Sequence, residues 1–170
     1  MNGEVETTFL ARLNENLGIA HQVCRTYFHR DAAQREELFQ EILYQLWKSY
    51  PQFKGESKFS TWMYKVSLNT AITHIRRSRR TKQGAELAEA AETASGAPHP
   101  SEEISKAEKV QRLHEAIAGL SDVDKAIILL HLEEQSYEEI SSITGLSRTN
   151  VSVRLVRIKR ALKERLQGMA

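Results

Sequence analysis

Residues Ser136 to Arg160 read SYEEISSITGLSRTNVSVRLVRIKR. Every charged side chain before Gly145 is acidic and every one after it is basic. Ser136 stands three residues before Glu139, the spacing at which a serine hydroxyl and a glutamate carboxylate cap the start of a helix reciprocally. That helix must end at Thr144-Gly145-Leu146, because glycine accepts the positive φ that turns the chain sharply. Ser147 can cap the helix that follows. Two helices joined by a short glycine-containing turn form a helix-turn-helix unit.

At about 100° per residue, Val151, Leu155, Ile158, Leu162 and Leu166 share one face of the last helix and must be buried. Thr149, Val153, Val156, Arg157 and Arg160 fall opposite, with Asn150 and Ser152 at the edges. Two valines on an otherwise polar, basic face suit a DNA major groove. Apolar side chains meet thymine methyls there, Asn and Arg bond base edges, and flanking cations such as Arg148, Arg154, Lys159 and Lys163 hold phosphates. The acidic helix need only cross the backbone while the basic one enters the groove.

Outward from this unit, nearly the whole chain has helical periodicity, interrupted by three prolines, so an all-α protein is expected. Its 170 residues, 41% hydrophobic and 27% charged, suit two small bundles better than one large enzyme core. Upstream of the helix-turn-helix, Val110, Leu113 and Ile117, then Val123, Ile127 and Leu130, mark two more helices. Ser121 and Asp124 have capping-box spacing at the start of the second. A second bundle over 106–170 results. From 81 to 105 the composition turns to Ala, Glu, Gly, Ser and Pro, a flexible linker by composition.

The first bundle spans 1–80. Leu10, Leu13, Leu17, Ala20, Cys24 and Tyr27 define its first helix. Leu38, Ile42 and Leu46 with Phe39, Leu43 and Trp47 define its second, which stops near Tyr50 before Pro51. A loop over Pro51–Ser60 precedes a long third helix, Thr61 to Arg80. Tyr64, Leu68, Ala71, Ile72 and Ile75 share its apolar face. Trp62, Asn69, Thr73, Arg76 and Arg80 share the other, with Arg77 beside them.

That second face combines a ring, hydrogen-bonding groups and guanidinium groups, a mixture suited to unpaired nucleic acid. The preceding loop, with Phe53, Lys54, Ser57, Lys58 and Phe59, could close over an extruded base. The same residues equally allow Trp62 to pack on a neighbouring helix and the arginines to complement a helix C-terminus. His74 reads as a surface or DNA-backbone residue. On the second helix Glu36, Glu37, Gln40, Glu41, Tyr44 and Gln45 form a polar to acidic strip.

The net charge of +2 hides basic clusters at 76–82 and 148–165 and an acid-leaning middle. The single Cys24 excludes an internal disulfide and reads as a small buried hydrophobe. No Cys and His pair sits at zinc-ligand spacing and no hydrolytic or redox constellation is apparent, so neither an enzyme, a metal site nor a cofactor is expected. Without an apolar targeting segment or membrane span, a soluble cytoplasmic protein is expected.

The combination resembles the extracytoplasmic-function group of bacterial RNA polymerase sigma factors. QREELFQEILYQLWKSYPQFKGESKFSTWMYKVSLNTAITHIRRSRR resembles their second region, and LSDVDKAIILLHLEEQSYEEISSITGLSRTNVSVRLVRIKRAL their fourth. The resemblance implies a non-enzymatic subunit that brings the polymerase core to promoters, contacting its β′ clamp and β subunits, and helps melt the DNA.

By position, it implies that Glu37, Gln40 and Glu41 dock on the β′ clamp, with Leu38 in the core. The loop Lys54, Ser57, Lys58 and Phe59, with Trp62 and Asn69, matches the capture of an unpaired minus-10 base. Arg76, Arg77, Arg79 and Arg80 match the basic end near the duplex edge. In the fourth region Ser152, Val153, Val156 and Arg157 match positions that face minus-35 bases, within the wider set Arg148, Thr149, Asn150, Arg154 and Arg160.

Thr73 stands where the family often has Asp, and Asn150, Ser152 and Val153 replace a commoner Thr, basic residue and Ser. These departures bear on which promoter is read. Any anti-sigma factor would be a separate protein. The alternative reading is a stand-alone helix-turn-helix regulator that binds duplex operators.

Overall fold

A computed structural model describes residues 2–85 and 105–169. Every regular element among the described residues is helical: α1 (Gly3–Tyr27), α2 (Ala32–Ser49), α3 (Phe59–Ala85), α4 (Lys106–Ala118), α5 (Asp122–Leu132), α6 (Tyr137–Thr144) and α7 (Arg148–Gly168). A single 3-10 turn, Tyr50–Gln52, follows α2.

Helices α1, α2 and α3 pack pairwise into the first bundle. The buried line of α1 runs through Phe9, Leu13, Ala20, Val23, Cys24 and Tyr27. Leu10, expected inside, is 45% exposed, and Phe9 at 1% takes its place. The aromatic ring decides the phase there: Phe9 sits edge-on to Trp47 at 5.6 Å and 4.7 Å from Tyr50, burying more apolar area than a leucine one position on. Burial pushes the Cys24 thiol up to about 12, so it is an inert core group.

The turn into α2 is fastened twice. Asp31 caps the helix through the Gln34 amide at 3.0 Å, and Arg35 donates to the carbonyls of Phe28 and His29 at 2.8 and 2.7 Å. Leu38, Ile42 and Leu46 are fully buried, and truncating any of them to alanine would cost about 2–5 kcal/mol. Trp47, expected with the apolar set, is 37% exposed.

Helix α3 begins at Phe59 and continues to Ala85, five residues past the expected end at Arg80. Nothing between Thr81 and Gln83 breaks a helix. The expected linker therefore contributes its first turn to α3 and gives Ser105 to α4 as an N-cap, while 86–104 lie outside the described residues.

The second bundle owes its corners to serines. Ser105 with Glu108, and Ser136 with Glu139, form complete capping boxes. Ser121 makes half of one: its hydroxyl accepts from the Asp124 amide at 3.2 Å, but the Asp124 carboxylate turns to Arg154. Ser147 caps α7 through the Asn150 amide at 3.1 Å. Gly145 has φ +76 and ends α6 in the left-handed region. Val151, Leu155, Ile158 and Leu162 are buried, as expected, with Leu166 packed partly at the margin. Val110, by contrast, is exposed.

The two bundles close on each other, with α4 and α5 against α1, and α5 and α6 against α3. The seam is largely polar. The Tyr27 hydroxyl donates to the Asp122 carbonyl at 2.7 Å, and Arg79 grips the Asp122 carboxylate through two bonds of 2.8 and 3.2 Å. Gln22 donates to Glu133 at 3.1 Å, Arg30 pairs with Glu115, and Lys58 lies 3.9 Å from Glu139. Lys125, buried at the seam, sits over the Tyr27 ring.

Candidate nucleic-acid interface

Helix α7 has one side committed to the core and the other open. Val153 is 46% and Val156 59% exposed, flanked by exposed Thr149, Asn150, Arg157 and Arg160, with Ser152 half-buried. Arg157 and Arg160 make no ion pair among the described residues. Arg148 pairs with Glu138 across the turn at 2.9 Å, both side chains well exposed. Arg154 is more firmly held, donating to Asp124 at 2.8 Å and to Asn150 at 3.3 Å. Its guanidinium ties α7 to the start of α5 and so fixes the pose of the open face. No element of the first bundle packs on α7 in force, so the closed seam leaves this face clear.

The second face belongs to α3 and the loop before it. Gly55, at φ +73, reverses the chain and leaves Lys54, Ser57 and Lys58 exposed. Phe53, Phe59, Trp62 and Tyr50 form one aromatic cluster: Trp62 lies 5.1 Å from Phe53, 5.3 Å from Phe59 and 6.1 Å from Tyr50 between ring centroids. The packing alternative for Trp62 is therefore the one the structure shows. It packs on its neighbours and remains only half-buried.

Asn69, Thr73 and Arg77 line a groove of about 340 Å³ between α2 and α3, whose opposite wall carries Glu41 and Gln45. Arg76 and Arg80 are exposed and make no ion pair among the described residues. Arg77 is tied to Glu41 at 3.2 Å and Arg79 to Asp122.

His74 departs from its expected surface position. It is 4% exposed, with Nδ1 2.8 Å from Glu41 and Nε2 3.2 Å from Gln34. Both partners lie on α2, so the imidazole links that helix to α3 internally.

On α2, Glu37 and Gln40 are exposed, and Gln40 donates to Glu36 at 3.0 Å. Glu41 is half-buried, its carboxylate shared between His74 and Arg77. Tyr44 and Trp47 continue the Glu37–Gln40 stripe as exposed aromatics. The spacing 37, 40, 44, 47 carried that signal in the sequence, but Trp47's size argued for the core.

Comparison with known proteins fits this arrangement. The family model for Sigma-70 region 2 matches residues 13–81, and that for Sigma-70 region 4 matches 110–162. The RNA polymerase sigma-H factor of Pseudomonas aeruginosa is 30% identical over 84% of this chain and 78% of its own. The ECF RNA polymerase sigma-E factor of Haemophilus influenzae is 30% identical over 78% and 75%. The RNA polymerase sigma factor YlaC of Bacillus subtilis is 26% identical over 87% and 85%.

Among solved structures, the sigma factor RpoE from Bartonella quintana, crystallised with the anti-sigma factor NepR, shares the fold at a TM-score of 0.69 and 22% identity, over 96% of this chain and 97% of that one. The chain belongs to the extracytoplasmic-function sigma factors of the sigma-70 family, non-enzymatic subunits that direct RNA polymerase to promoters.

Proposed function

We propose a division of labour between the two bundles. The first, α1–α3, docks on the polymerase core and opens the minus-10 element; the second, α4–α7, reads the minus-35 element in duplex form. The observation that carries this is the open face of α7, where Val153, Val156 and Arg157 stand exposed opposite a fully buried apolar line. Solvent does not favour two exposed valines among cations, but thymine methyls do.

In the first bundle, Asn69 and the aromatic cluster receive an unpaired base while Lys54, Arg76 and Arg80 follow the phosphates. Contacts made only with the opened strand shift the duplex toward melting, as any ligand favours the state it binds better. The exposed stripe Glu37, Gln40, Tyr44 and Trp47 is the polymerase-facing side of α2, with Glu41 serving it from within.

No helix among the described residues is long and apolar enough to cross a membrane, and the protein works where the polymerase is, in the cytoplasm. The structural neighbour was crystallised with an anti-sigma factor, and a separate protein of that class holds this chain inactive.

The test is transcription reconstituted with core enzyme on promoters varied through the minus-35 element. Arg157→Ala should lose about 1–3 kcal/mol of discrimination at one base pair. Equal loss on every promoter would make Arg157 a phosphate contact. Specific binding without core, with two-fold symmetry, would favour a stand-alone regulator.

A further inference from the structure

His29, in the connection between α1 and α2, faces His114 of α4 across the seam. The rings stack at 6.2 Å between centroids with planes 13° apart. His29 Nε2 is buried and has no hydrogen-bond partner among the described residues. The surroundings are cationic: Arg25 of α1 and Arg35 of α2 line the same cleft, Arg30 adjoins His29 in sequence, and Lys125 of α5 acts on His29 from the other bundle. The nearby carboxylate, Glu115 of α4, is already paired with Arg30, which holds it below the usual range.

Neutral imidazoles stack well in such a place, whereas two imidazoliums beside these cations repel each other and their surroundings. Burial pushes both histidines down, helped at His29 by Arg30 and His114 against Glu115, and at His114 by Arg25.

The seam matters because closed and promoter-bound forms cannot coincide. The minus-10 and minus-35 elements lie about 25 base pairs apart, roughly 85 Å at about 3.4 Å per step. A compact chain of this length has a radius of gyration of about 15 Å. Engaging both elements at once requires the bundles to part.

We propose that the stacked His29–His114 pair makes closure of the bundles sensitive to pH, mild acid favouring the open form. The inference rests on the two-element reading above for its consequence, but not for its test. Closure disfavours the imidazolium forms; opening exposes the rings to ordinary titration near ~6.5. Opening therefore takes up protons. Closure is fully supported above that value, and the support is lost progressively as pH falls below it toward the lower closed-state value of the pair.

The experiment uses the full chain free of DNA and polymerase. Fluorescent labels are placed at Lys65→Cys on α3 and Glu164→Cys on α7, both exposed positions, while buried Cys24 stays unlabelled. Energy transfer between the labels is followed between about pH 7.5 and 5.5, with circular dichroism confirming folding. The opening constant should rise at least about threefold over that interval, within the limit of about tenfold per pH unit for each proton taken up.

The double variant His29→Gln/His114→Gln should remove the rise, and His131→Gln, a histidine outside the seam, should leave it intact. Should the double variant fail to fold, His114→Gln alone should lose at least half the slope. A wild-type response flat in pH, or a slope that survives loss of both seam histidines, overturns the proposal. Because no promoter is present, such a failure leaves the minus-10 and minus-35 assignments untouched; their failure would appear in transcription with the pH response intact.

Discussion

Val156→Ala should cost promoter affinity and almost no stability, and the sizes of both effects follow from exposure. With 59% of Val156 accessible in the free protein, the fold gains little from the side chain, and the change in unfolding free energy should stay within about 0.5 kcal/mol. Valine exceeds alanine by two methyl-sized groups, worth about 0.8 kcal/mol each when fully buried. The accessible fraction still to be buried against DNA makes the binding loss about 1 kcal/mol, or about fivefold in affinity.

The assay is equilibrium binding of holoenzyme to promoter DNA in which each minus-35 thymine is replaced in turn by uracil, deleting one methyl without altering base pairing. At the contacted position the valine truncation and the methyl deletion should not add, since each removes the same contact. Additive losses at every thymine would refute the methyl contact. A stability loss above about 1 kcal/mol would refute the claim that this face is free.

Two further outcomes follow from local geometry. Gly145→Ala meets no neighbouring atom within 4 Å, so its cost is purely the left-handed backbone at φ +76, about 1–2 kcal/mol. Gly145→Asn should cost less, and thermal unfolding that ranks the two the other way would show the turn is limited by something else. Glu37→Lys with Gln40→Lys should weaken core-polymerase binding without a change in unfolding. Glu41→Lys should lower both, because it also strips His74 and Arg77 of their acceptor; loss of docking without loss of stability would contradict the internal role of Glu41.

Local chemistry was the most legible part of the sequence. The helix starts at Ser121, Ser136 and Ser147 and the turn at Gly145 depend on residues within a few positions of each other, so spacing alone located them. The buried line of α7 was equally plain, because five large aliphatics leave one helical phase. Where two phases competed, as at Phe9 and Leu10, the choice depended on Trp47 and Tyr50, some forty residues away.

His74 escaped for the same reason. Its partners Glu41 and Gln34 lie 33 and 40 positions upstream, and nothing in a basic helix end announces a buried imidazole. Closure of the bundles was least visible of all, since it depends on charged residues that periodicity assigns to solvent.

That closure bears on the proposed DNA contacts through the side chains it occupies. Arg79 offers its guanidinium to both Asp122 oxygens, so it is not free for a phosphate while the seam is shut, whereas Lys58, 3.9 Å from Glu139, is only loosely held. Arg76, Arg80 and Lys54 carry no such commitment. With the Tyr27 and Gln22 bonds, the Arg79–Asp122 pair would set closure and the proposed minus-10 binding in competition for a shared group. If the opened strand binds as proposed, linkage requires that whatever parts the bundles raises affinity for that strand, and that the strand parts the bundles by the same factor. Polymerase need not pull the two bundles apart unaided. On the proposed minus-10 assignment, melted promoter DNA that claimed Arg79 would supply part of the free energy that separates them.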